Sequence, residues 1–128
     1  MCFFANKSKT LTIINSIGKK TTVTAEIASG FFSKAIGLMF RKSLDRDNGM
    51  LFIFGKEDYH TFWMANTNLA LEALHLAGDG KLVETISMEP HTGKYLPKNK
   101  SKYVLEVNQG FCKKNNVRIG DKLKLDFE

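Results

Sequence analysis

The sequence predicts a mainly β fold, a single-domain sandwich or partly open barrel of about seven strands with two short helices. Three observations lead there. Stretches such as TTVTAEI (21–27) alternate apolar and polar positions with a period of two, the pattern of a half-buried strand. Turn residues, notably Asn48-Gly49 and Gly78-Asp79-Gly80, punctuate these stretches. Only FFSKAIGLM and GFCKKN suit a helix, and both are short. With 128 residues, 43% of them apolar, the chain reads as one domain over 1–128 that buries a continuous core without covalent staples.

In chain order, TLTII (10–14) is a strand followed by a turn at Ser16 to Lys19. In the next strand Val23, Ala25 and Ile27 share one face, with Thr22, Thr24 and Glu26 on the other. Ser29 and Gly30 offer a cap to FFSKAIGLM, where Phe31, Ala35 and Leu38 fall on one helical face and Gly37 weakens the last turn. RKSLDRDNG is a polar loop, and MLFIF (50–54) is an apolar run suited to burial on both faces. YHTFWM (59–64) is expected to be its antiparallel partner through GKED, with Tyr59, Thr61 and Trp63 opposed to His60, Phe62 and Met64. Residues 69–76 and 81–88 form a hairpin around Gly78-Asp79-Gly80, which Pro90 ends. HTGKYLPKNKS is an irregular loop. In YVLEV, Tyr103, Leu105 and Val107 oppose Val104 and Glu106. GFCKKN makes one helical turn, and KLKLDF closes as a strand with Leu123, Leu125 and Phe127 inward.

The formal charge of +6, from 19 basic and 13 acidic residues, permits an anionic partner without demanding one. Lys94, Lys98, Lys100 and Lys102 surround one Pro-containing loop, and Lys113, Lys114 and Arg118 another; they read as a solvated rim. No basic run is interleaved with aromatics as a stacking platform requires, so nucleic acid is not an expected partner. Cys2 and Cys112 cannot build a disulfide framework and read as reduced thiols. The stretch MCFFANKSKTLTIINSIG lacks the pattern of a secretory signal, and no segment approaches the length of a membrane span. The expected location is cytoplasmic, with no membrane partner; the residues assign no oligomeric state.

His60, His75 and His91 follow no zinc-binding spacing, and there is no nucleophile elbow, phosphate loop or dinucleotide fingerprint. No catalytic residue, metal site or cofactor is therefore assigned. Met39, Met50, Met64 and Met88 with His60 and Trp63 have the donor chemistry of a Cu(I) site, although methionines far more often fill irregular cores.

The chemistry concentrates in YHTFWMANT (59–67), which holds the only tryptophan. Trp63 offers a pocket wall with one donor, or else a core ring. Asn66 and Thr67 add polar groups at a rim, or else bond their own turn. Arg41 suits a two-pronged grip on an anion, or an ion pair with Glu72 or Glu106. Glu106 lies within a strand, where a carboxylate needs solvent or a partner.

Three blocks carry a family resemblance: GLMFRKSLDRDNGMLFIF (37–54), HTFWMANTNLALEALHLAGDGKLVETISMEP (60–90) and YVLEVNQGFCKKNNVRIGDKLKL (103–125). In this order they resemble a widespread prokaryotic family known as domain of unknown function 192, over a core of about 20–127. The resemblance implies a small, mainly β domain and no established biochemical activity. One departure stands out. Where the family usually has Leu-Asp after its Asn-Thr motif, this chain has Leu71-Glu72, a longer reach for that carboxylate.

The expected role is a binding or accessory domain with a shallow pocket bordered by Arg41, Trp63, Asn66, Thr67, Glu72 and Glu106. Its expected ligand is a polar small molecule, a sugar or an anionic metabolite. The alternatives are a hydrolase-like enzyme using Glu72 and Glu106 as paired carboxylates, and a nucleic-acid binder using the lysine-rich loops.

Overall fold

The alternating stretches pair into a single curled sheet. The computed structural model describes residues 7–127, the side chain of Phe32 excepted. Its strands are β1 (Ser8–Ile14), β2 (Lys20–Ala28), β3 (Asn48–Asp58), β4 (Phe62–Trp63), β5 (Leu71–Leu76), β6 (Leu82–Met88), β7 (Lys94–Tyr95), β8 (Ser101–Asn108) and β9 (Lys122–Leu123). Two helices, α1 (Phe31–Ile36) and α2 (Phe111–Asn115), complete the described elements. Seven strands lie in the order β6-β5-β8-β3-β2-β1-β9, and β4 pairs with β7 in a separate ribbon.

Neighbours in the large sheet are antiparallel except β2 and β3, which run parallel with Thr24 opposite Asn48 and Ala28 opposite Phe52. A parallel pair needs a crossover to bring the chain back to its starting edge. Residues 29–47 supply it, and they carry α1 across one face of the sheet.

The sheet curls until its two ends meet. Leu82 N–H donates to the Asp121 carbonyl at 2.8 Å, and Leu123 N–H to the Gly80 carbonyl at 2.9 Å. Gly80 makes this seam possible. Its φ is +90°, and a Cβ there would lie 2.3 Å from the Leu123 carbonyl oxygen, inside any tolerable contact.

Curling creates an inside and an outside, each with its own apolar cluster. Leu11, Ile13, Val23, Leu51, Leu105 and Leu123 belong to the inner one, which Phe111 of α2 plugs. On the outer face Met50, Phe52, Leu71, Met88 and Val104 pack with Leu38, from the turn after α1, and Met64, from just beyond β4. β3 therefore contributes buried residues to both faces, as an uninterrupted apolar run should: Leu51 inward, Met50 and Phe52 outward.

Three local expectations are corrected. YHTFWM is not the antiparallel partner of MLFIF: β3 continues through Gly55-Lys56-Glu57 to Asp58, and its antiparallel neighbour is β8. Only Phe62 and Trp63 extend, against Tyr95 and Lys94, so the loop HTGKYLPKNKS contains a short strand. Phe31 does not share a buried face with Leu38; it is 80% exposed while Leu38 is buried. The closing strand is short, yet Leu123 and Phe127 point inward as their alternation requires.

Candidate functional site

The outer face carries a polar group in an unusual place. Along β8, Val104 and Glu106 point outward, and the register sets Glu106 opposite Met50 on β3 and Ala73 on β5. Both neighbours are fully buried apolar residues, and Glu106 itself is 4% exposed. Among the described residues none gives its carboxyl a hydrogen bond or an ion pair. Burial raises its pKa to about 8, so near neutral pH it stands as a carboxylic acid, able to donate as well as accept.

A cavity of about 410 Å³ opens above this group, between α1 with its following turn and the segment around β4. Leu38, Phe52, Phe62, Met64 and Leu71 form apolar wall, and Glu106, Thr67 and Lys34 bring polar atoms. Trp63 also lines it and is itself 62% exposed, leaving a large aromatic side chain open to solvent. Lys94 places its ammonium 5.0 Å from the Trp63 ring centroid, and Lys34 places its own 4.9 Å from that of Phe54, another lining residue. The His60 ring stacks on Phe54 at 3.6 Å between centroids.

The two flanks of the cavity are tied together. Asn66 adopts φ +57° and Phe40 φ +64°, and Phe40 N–H donates to the Asn66 carbonyl at 2.8 Å. The Asn68 amide donates to the Arg41 carbonyl at 3.3 Å. Asn and Thr in this motif therefore shape a turn as well as a rim: Thr67 Oγ1 donates to the Ala65 carbonyl at 3.3 Å.

Of the six residues expected at the site, the structure brings Trp63, Thr67 and Glu106 to one cavity. Asn66 is exposed beside it. Arg41 reaches neither Glu72 nor Glu106; its guanidinium forms a two-pronged pair with Glu26 on β2, Nη2 to Oε1 at 2.8 Å. That hydrogen bond holds the Arg41 pKa above its ordinary value. Glu72 lies on the inner face, opposite Val107, and accepts from the Gly110 and Cys112 N–H groups at 3.0 Å each, at the start of α2. Glu72 and Glu106 thus occupy opposite faces of the sheet, and a hydrolase built on the pair has no shared cleft.

The remaining candidates fall into structural places. Met50, Met64 and Met88 fill the outer core, and among the described residues no group of His, Cys, Asp or Glu converges as metal ligands. Cys112 is a poor nucleophile, because burial and the neighbouring Glu72 push its thiol pKa up; Cys2 lies outside the described residues. His75 is buried and shares a 3.3 Å hydrogen bond with Ser101 Oγ; desolvation lowers its pKa to about 4. No described helix is long and apolar enough to cross a membrane.

Local pattern did not single out Lys34, Leu38, Phe52 and Phe62 as cavity walls. The alternation within HTFWM did mark Phe62 and Met64 as one side, but only the parallel crossover brings α1 over them.

The chain is similar to proteins across archaea and bacteria. A UPF0127 protein of Pyrococcus furiosus is 26% identical over 112 residues, covering 84% of this chain and 90% of that protein. One from Pyrococcus abyssi is 29% identical over 104 residues, 77% of this chain and 83% of the relative. Among solved structures, a Sinorhizobium meliloti protein whose description proposes a transcription regulator superposes with a TM-score of 0.92 at 31% identity. That match covers 96% of this chain and 97% of the other. A protein of unknown function from Novosphingobium aromaticivorans superposes with a TM-score of 0.87 at 26% identity, over 93% of this chain and 86% of its own. The model of the domain of unknown function 192 family, described as "Uncharacterized ACR", matches residues 12–125, which include every strand but the first residues of β1 and all the lining of the cavity. The chain is a member of that uncharacterised family.

Proposed function

We propose that this chain is a binding module for a small polar molecule and that its site is the cavity between α1 and β4. The observation that carries the reading is Glu106: a carboxyl group buried among apolar side chains, facing a cavity, with no partner from the described residues. Such a group is costly to hold unless something supplies the missing hydrogen bonds. A ligand that seats a flat or apolar body against Phe62 and Trp63 and presents a polar head to Glu106 does so. A polar head without negative charge, whether the hydroxyls of a sugar or a cation, meets these demands. An anion would be held only by the protonated form of Glu106 and would be repelled once that acid ionises.

The test is a ligand screen by thermal shift, with the emission of Trp63 as a second readout. A true ligand raises the melting temperature and changes the emission of the single tryptophan. Both effects disappear in Ala35→Phe, which fills the cavity from an exposed position on α1 and leaves Trp63 the single tryptophan. A stabilising compound whose effect survives that substitution binds elsewhere and sinks the reading.

A second reading rests on two exposed aromatic–lysine pairs, Trp63 with Lys94 and Tyr59 with Lys100 at 5.8 Å, together with the regulator proposed for the Sinorhizobium relative. Bases stacking on these rings would be held by the lysines, and affinity would fall steeply with salt. Oligonucleotide binding that is absent at low salt removes this reading.

A further inference from the structure

We infer that the head group this cavity takes is an organic ammonium, carried on an apolar or aromatic body, with the Glu106 carboxylate as its counter-ion. The inference rests on the cavity being a ligand site and names the chemistry of its occupant. Two independent features point to it. First, the carboxyl lines the cavity and takes no hydrogen bond from its strand neighbours, since Met50 on β3 and Ala73 on β5 have no side-chain donor. Second, the aromatic walls already attract ammonium groups. Lys34 sits over Phe54 and Lys94 over Trp63, and Phe62 and the largely exposed Trp63 add further aromatic surface to the same wall. Aromatic faces around a carboxylate are the combination that holds an alkylammonium: the acid supplies the charge, and the rings supply contact with the surrounding methylenes.

Among the described lining residues only Glu106 and Lys34 are ionisable. The Lys34 ammonium is engaged, donating to the Ile53 carbonyl at 3.3 Å. Binding of an ammonium therefore couples to one titration, that of Glu106. The free acid must give up its proton to become the counter-ion, and that proton leaves to solvent. Affinity for an amine then rises by about tenfold for each pH unit below the pKa of the free acid and levels off above it. A neutral ligand of the same shape accepts from the protonated acid and shows no such rise.

The experiment uses phenethylamine, its neutral counterpart 2-phenylethanol and the anion 3-phenylpropionate as probes, titrated calorimetrically into the intact chain in buffers of different ionisation enthalpy. The expected result is that the amine binds in preference to both others, with close to one proton released per amine near pH 7. Its affinity should climb about tenfold from pH 6 to pH 7. Glu106→Gln should abolish the proton release and the climb while the far-ultraviolet spectrum and cooperative melting persist. In the wild-type chain, the carbon resonance of the Glu106 carboxyl should report an acid without amine and a carboxylate with it. Equal binding of amine and alcohol, without proton release and still lost in Ala35→Phe, overturns the ammonium assignment and leaves the cavity a ligand site. No binding by any of the three overturns the assignment, and a parallel absence of ligands in the wider screen would overturn the site itself.

Discussion

At the level of single residues, Glu106 and His75 set opposite limbs of the pH–stability curve. Glu106 titrates near 4.5 in an unfolded chain and near 8 in the fold. Between those values the unfolded state binds fewer protons than the folded one, so stability is fully present at low pH and is lost as pH rises toward 8. The interval corresponds to about 5 kcal/mol in all, of which about 3 kcal/mol falls between pH 5.5 and pH 8.5. Urea titrations at those two pH values should find that loss in the wild-type chain and little of it in Glu106→Gln. His75 behaves in the reverse sense. Its folded pKa of about 4 lies below the ordinary 6.5, so its contribution is present above 6.5 and is lost as pH falls toward 4. His75→Leu should flatten that acid limb, a difference of about 2 kcal/mol between pH 7 and pH 4.5 by the same measurement. The sequence made Glu106 conspicuous, as a carboxylate inside VLEV. It did not make His75 conspicuous, since a histidine in LEALHL is buried or exposed according to what packs outside the sheet.

At the level of elements, Glu72 explains how a five-residue helix is held at its start. Its carboxylate receives two backbone N–H groups that the first turn of α2 leaves without helical partners. Charge-assisted bonds of this kind are worth more than neutral ones. Glu72→Ala should lower stability by about 2 kcal/mol in chemical denaturation and leave ligand binding at the outer face unchanged. Glu72→Asp, which restores the residue usual in the family, shortens the reach and should fall between the two. The alternation of TTVTAEI and YVLEV identified these strands and their buried faces, because period two is a local property. Partner choice is not local. MLFIF and YHTFWM are neighbours in sequence with matching character, yet the stronger pairing available to MLFIF is with YVLEV, fifty residues on, where Leu51 meets Leu105 and Phe52 meets Val104. Arg41 illustrates the same limit: its partner Glu26 comes within reach only because β2 runs parallel to β3 and the crossover folds back over it.

At the level of the whole molecule, the seam between the β5–β6 turn and β9 turns a sheet into a container. Gly80→Ala forces a side chain against the Leu123 carbonyl at a backbone angle that L-residues avoid. We expect a loss on the order of 3 kcal/mol in urea denaturation, with Leu123 and Leu125 loosening first in hydrogen exchange. Mainly β architecture was legible from alternation and turn residues. Closure was not, since it depends on Lys81 meeting Lys122 across the ends of the chain's fold rather than on any pattern within either segment.

The one parallel pairing has a further consequence. Because β3 enters beside β2 in the same direction, a single connection both completes the strand order and roofs the outer wall. Replacing residues 30–40 with a polar linker would leave every rung of the ladder intact. It would also strip Met50, Phe52 and Val104 of their cover, yielding a sound barrel with an adhesive flank that self-associates and has lost its cavity.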